Sequence, residues 1–159
     1  MTYPSPVRGR VRPDNGGLFG AFPLLALSVL LYNILALTMM GGFSSQTAQA
    51  ALTTELFVIP MTSHGRWVVT LSDLMLTGSL VILFIELLRS TTSRRVAIVN
   101  HALSMGLFII CLVELLLAPA FATSTFFLIT LMELLDVLAG FIVTIVSARR
   151  DIDYSNGPA

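Results

Sequence analysis

The sequence predicts an all-α fold: a polytopic membrane protein built as a bundle of four transmembrane helices. Three observations predict it. Mean hydropathy is +0.88 and only 11% of residues are charged, against about 25% in soluble domains. Four apolar runs each approach the roughly 20 residues that cross a bilayer at ~1.5 Å rise per residue. The nine basic residues, all arginine, fall almost entirely on alternate connections between those runs.

Residues 1–17 hold Pro4, Pro6, Pro13, Gly9, Gly16 and Gly17 among Arg8, Arg10 and Arg12. No apolar period appears, so this segment is expected to be a disordered basic tail. The membrane domain is expected over residues 18–148. Its first span covers about residues 18–40, with Asn33 and Thr38 as its strongly polar side chains. A cleaved signal peptide is the competing reading, with Ala48-Gln49-Ala50 as a small-residue site. The apolar run exceeds the usual ~7–15 residues of a signal peptide, and the site lies well beyond its end. An uncleaved anchor is preferred.

Residues 41–66 form the longest connection. Its run Leu56-Phe57-Val58-Ile59 stops at Pro60. It is too short to cross a membrane, and is expected to lie in the interface or to plug the mouth of the bundle. Trp67 is expected to open the second span, residues 67–88, at headgroup level. The link that follows is short and basic. The third span, residues 96–118, ends against Pro119, which cannot continue a helix. The short link to Ser124 makes spans three and four antiparallel neighbours. The fourth span is residues 124–147, and residues 149–159 are expected to form a polar tail.

The arginines set the orientation. With the N-terminus inside, Arg8, Arg10, Arg12, Arg89, Arg94, Arg95, Arg149 and Arg150 are cytoplasmic and only Arg66 is outside. The positive-inside rule then places both termini in the cytoplasm.

The fourth span carries the strongest functional signal. Fourteen Leu, Ile, Val or Phe lie between Phe126 and Val146, contributing about −4 to −8 kcal/mol towards insertion. Glu133 and Asp136 near its centre cost about 5–7 kcal/mol. The sums nearly cancel, so the acidic face needs other helices or water. Glu133 and Asp136 are three apart and share a face with Phe126, Ile129, Gly140 and Thr144. Ionising both would set like charges side by side in a low dielectric, so the pair is expected to retain at least one proton at pH 7 and to titrate as a unit.

Rise per residue puts Glu133 and Asp136 about 14 and 18 Å below the outer boundary, Asp73 about 9 Å and Glu114 about 6 Å below it. Glu86 and His101 fall within roughly 8 Å of the inner boundary. Depth thus allows an outer pair (Asp73, Glu114), a central pair and an inner pair. Asp73 and Glu86 lie about 220° apart around their helix, as do His101 and Glu114 around theirs, so any polar relay must hop between helices. Structural roles are also open: Glu86 and Glu114 reaching the interface, Asp73 capping its helix, His101 packing through a hydrogen bond. Intramembrane acids nonetheless mark pathways or partners, and the candidate polar residues are Glu133, Asp136, Asp73, Glu114, His101, Glu86 and Asn33.

Several functions lack support in the residues. A lone Cys111 excludes a disulfide framework or a cysteine zinc site within one chain. The second histidine, His64, belongs to the outer connection, which argues against a bis-histidine haem. The sequence has no phosphate-cradling glycine loop, HExxH, GxSxG or CxxC. Nothing resembles a basic nucleic-acid surface. No catalytic residue, metal or cofactor is expected.

Residues Trp67–Asp73, the run Val99-Asn100-His101-Ala102-Leu103-Ser104, and Leu135-Asp136-Val137-Leu138-Ala139-Gly140-Phe141 leading to Ala148-Arg149-Arg150-Asp151 together resemble a group of small proteobacterial inner-membrane proteins with four spans. The resemblance covers about residues 67–151. It implies a bacterial inner-membrane location and carries no catalytic residue across, because that group has no assigned activity. The expected function is non-enzymatic: a small accessory or assembly subunit, surrounded by lipid, that binds another membrane protein or further copies of itself through its buried acids. The alternative is a small proton- or cation-coupled transporter or channel that uses those carboxylates.

Overall fold

The computed structural model describes residues 22–44, 47–89 and 94–155. The basic tail 1–17, the start of the expected first span, residues 90–93 of the second link and the last four residues lie outside the described residues. The fold is mostly helical, with α1 (Ala26–Thr38), α2 (Ala48–Leu52), α3 (Leu71–Arg89), α4 (Arg94–Leu117) and α5 (Ser124–Ser155). It also contains a two-stranded antiparallel hairpin, β1 (Glu55–Pro60) and β2 (Arg66–Thr70). The all-α expectation is corrected on that point.

In α1, Leu25, Val29, Tyr32, Ala36 and Met40 are buried, a spacing of four, three, four and four that makes one helical stripe. Gly41 and Gly42, at φ 81° and 97°, end the helix in the left-handed region that glycine adopts without strain. The Gly42 N–H donates to Ala36 O at 2.8 Å. Thirteen residues give α1 a length of only about 20 Å. Three other helical segments are long and apolar enough to cross a membrane: Leu71–Arg89, Val99–Leu117 and Ser124–Val143. Within the described residues, the first of the four expected spans therefore falls short of that length.

The connection between α1 and α3 departs most from expectation. Leu56–Ile59 is part of β1 and pairs with β2, with Ile59 opposite Trp67 and Val58 opposite Val68. Leu56, Phe57 and Ile59 are exposed, so they do not plug the bundle. Trp67 lies in a strand and does not open a helix. The helix begins at Leu71 because Thr70 and Asp73 form a reciprocal cap there. Asp73 Oδ2 accepts from the Thr70 N–H (2.9 Å) and hydroxyl (2.8 Å), and Thr70 Oγ1 accepts from the Asp73 N–H (3.3 Å).

The hairpin end of the bundle is closed by an aromatic knot. Tyr32, Phe121 and Phe126 are mutually within 4.7–5.3 Å between ring centroids, and Phe43 lies tilted against Phe121. Tyr32 Oη donates to Ala120 O (3.0 Å) and lies 2.7 Å from Thr123 Oγ1. Thr123 Oγ1 also accepts from the Phe126 N–H at 3.2 Å, capping α5. A 3₁₀ turn over Pro119–Phe121 links α4 to α5.

Helix α5 packs on both α4 and α3, and α1 touches all three. Ser72 Oγ is 2.7 Å from Thr125 Oγ1, so α3 and α5 start at the same end. The tight turn sends α5 back along α4, as expected. At the opposite end, the arginine end, Arg89 closes α3 and Arg94 opens α4.

Candidate functional site

The helices distribute polarity inside out. Phe84, Leu80, Ile109, Leu116 and Ile142 are exposed, whereas Ser79, Glu86, Ser104, Thr125, Thr130, Glu133 and Asp136 are buried. In a soluble domain the acids would be outside. Here they gather between α3, α4 and α5.

Glu133 is the centre of the cluster. It continues the buried α5 stripe of Phe126 and Ile129 and leads to Asp136 and Val137. Its side chain is 0% exposed, and neither carboxyl oxygen has a hydrogen-bond partner among the described residues. It lies within electrostatic reach of Asp136 and Glu86, and Cys111 on α4 lies within reach of both Glu133 and Glu114. Asp136 is buried next to Ser104 and His101 on α4. Ser104 Oγ, fully buried, faces Asp136 without completing a hydrogen bond of good geometry.

Glu86 contrasts with Glu133. It is as fully buried, yet both oxygens are engaged. Oε1 accepts from the Leu24 N–H (3.0 Å) and from Asn100 Nδ2 (3.3 Å), and Oε2 accepts from the Leu25 N–H (2.9 Å). A carboxylate from α3 thus caps the N-terminus of α1, where free N–H groups and the helix dipole favour it. The expectation that Glu86 reaches the interface is corrected: its partners lie 61 and 62 residues away in sequence and hold it inside.

His101 and Asn100 complete the arginine end of the cluster. Asn100 Oδ1 and His101 Nδ1 are buried without partners among the described residues. The His101 ring packs against Gly140, and its centroid lies 6.3 Å from that of Phe141. The sequence expectation of a hydrogen-bonded His101 is not met at Nδ1.

Towards the hairpin end, Glu114 Oε2 accepts from Asn33 Nδ2 at 3.3 Å, and Asn33 also donates to Val29 O at 3.1 Å. Glu114 is half-buried against α1 and does not meet Asp73, whose carboxylate is used in its own helix cap. The outer pair suggested by depth does not form.

Of the seven candidates, Glu133, Asp136, Glu86 and His101 share one interior, Glu114 and Asn33 make a second pair, and Asp73 stands apart as a cap. Ser104, Asn100 and Gly140 belong to the site although their types carry no strong signal of their own. The face shared with Glu133 and Asp136 places Gly140 there from the sequence, and the three-residue spacing from His101 does the same for Ser104.

The unpartnered atoms of the site are Asn100 Oδ1, His101 Nδ1, Ser104 Oγ and the two Glu133 oxygens. All can accept a hydrogen bond, and the serine, the imidazole and a protonated carboxyl can also donate one. No group of three or more His, Cys, Asp or Glu among the described residues is arranged to hold a metal ion. Comparison of the chain with protein-family models, with curated proteins and with solved structures finds no match.

Proposed function

We propose that this chain is a multi-pass protein of a bacterial inner membrane that carries protons, or another small monovalent cation, through the carboxyl cluster between α3, α4 and α5. The observation that carries the reading is Glu133, a carboxyl with no exposed surface and no hydrogen-bond partner. An unsatisfied buried polar group costs about 1–3 kcal/mol, and more when charged. Such a group persists where function requires it, and a carboxyl there is neutralised by a proton or a counter-ion. Asp136 and Glu86 lie within electrostatic reach of it, and Ser104 and His101 adjoin Asp136.

An accessory subunit would use the buried acids for partner recognition in lipid. Those acids turn inwards, so the transport reading accounts for them better. An accessory role, to another membrane protein or within a homo-oligomer, then rests on the apolar outer faces, which lipid covers equally well.

We infer a fourth crossing from where the two ends of α1 lie. Helix α1 starts beside Glu86 and its exit loop meets Ala120, whose N–H donates to Phe43 O at 3.1 Å. The α1 segment therefore runs the length of the bundle despite its 13 residues. The site is tested by cation flux into proteoliposomes. Wild-type protein conducts, and Glu133→Gln, which keeps shape but cannot ionise, abolishes flux while inserting normally. Wild-type vesicles no leakier than empty ones would refute the reading.

A further inference from the structure

Gly140 and His101 meet at the arginine end of the site. A Cβ at residue 140 would lie 2.6 Å from His101 Nδ1 and 3.1 Å from its Cγ, so the imidazole fits against α5 only because that position has no side chain. The notch is four residues from Asp136, one turn along the same face. His101 is only partly buried as a residue, whereas its Nδ1 is fully enclosed and without a hydrogen-bond partner among the described residues. The ring therefore lies at the edge of the site with its Nδ1 enclosed.

We propose that His101, held in the Gly140 notch, passes protons between the arginine end of the bundle and the Asp136–Glu133 pair; this rests on the transport reading above. An imidazole takes a proton on one ring nitrogen and releases one from the other. The ring is left neutral in its other tautomer and resets by rotating about its Cβ–Cγ bond, so the step needs no further reactant. The ionisable group beside the ring is Asp136 from α5; the neighbouring Asn100 bonds Glu86 from α3. Glu86 is occupied by the N–H groups of α1, which leaves Asp136 as the receiving carboxyl. Gly140 is a positioning residue: it decides where the ring sits.

The experiment measures proton uptake with a pH-sensitive dye trapped in proteoliposomes, driven by an imposed potential. It compares wild type, Glu133→Gln, His101→Gln, His101→Ala and Gly140→Ala, each checked for monodisperse elution in detergent. His101→Gln and His101→Ala should conduct at least tenfold less than wild type. Millimolar imidazole should restore the alanine variant and leave Glu133→Gln silent. Gly140→Ala should lower flux by displacing the ring. Wild-type flux in His101→Ala, with Glu133→Gln silent, overturns the shuttle and spares the transport reading. A loss in His101→Ala that imidazole does not restore marks a packing role and also overturns the shuttle. A silent wild type overturns both. If the alanine variant does not fold, His101→Gln decides, because an amide hydrogen-bonds without carrying protons and wild-type flux in it ends the proposal.

Discussion

Glu86 and Glu133 are equally buried carboxyls with opposite energetics. Glu86 meets three donors, and its loss strands two helix-terminal N–H groups. Glu86→Met should therefore destabilise the protein by about 1–3 kcal/mol. Glu133 meets none, and replacing a buried unsatisfied polar group by an apolar group of similar volume is neutral or stabilising. Glu133→Met should hold or raise the unfolding midpoint in a detergent denaturation series while abolishing flux. A Glu133→Met protein that unfolds earlier than Glu86→Met would show that the two roles are reversed. Tyr32→Phe, which removes the bonds to Ala120 and Thr123, should cost about 1 kcal/mol in the same series. The Glu133–Asp136 face is legible in the sequence because the two are three residues apart in one helix. The burial of Glu86 is not, because its partners are backbone groups of a distant segment that no side-chain pattern reveals.

At the scale of elements, α3, α4 and α5 are legible because each is a long apolar run closed by arginine, proline or threonine. The hairpin is not, because Leu56–Ile59 lacks the polar alternation of a half-buried strand. Its signal lay instead in β-branched and aromatic residues on both sides of Met61-Thr62-Ser63-His64-Gly65, a five-residue connection containing glycine. His64 takes φ 62° in that turn. The junction of hairpin and helix yields a prediction. Asp73→Ala removes one half of the reciprocal cap and should cost about 0.5–2 kcal/mol. Because Asp73 engages Thr70 and lies apart from the Glu133 cluster, its flux should stay within twofold of wild type. A silent Asp73→Ala protein with normal stability would place Asp73 on the conduction path.

The whole molecule has two unlike ends. The hairpin end carries Arg66 and is filled by Tyr32, Phe43, Phe121 and Phe126. The other end carries Arg89 and Arg94, with the start of α1 bonded to Glu86 nearby. Helix α5 leaves the hairpin end beside Ser72 and passes His101 at Gly140, so its continuation to Ser155 also emerges at the arginine end. Charge asymmetry then predicts that the arginine end is cytoplasmic. A reporter joined after Ala159 should be active in the cytoplasm, and one inserted in the 61–65 turn should be active on the far side of the membrane. A third, fused before residue 22, distinguishes four crossings from three. If α1 crosses, it reports the cytoplasm together with the C-terminal fusion. If only α3, α4 and α5 cross, it reports the same side as the hairpin, and the short α1 is a helix docked within the bundle by Glu86 and not a span.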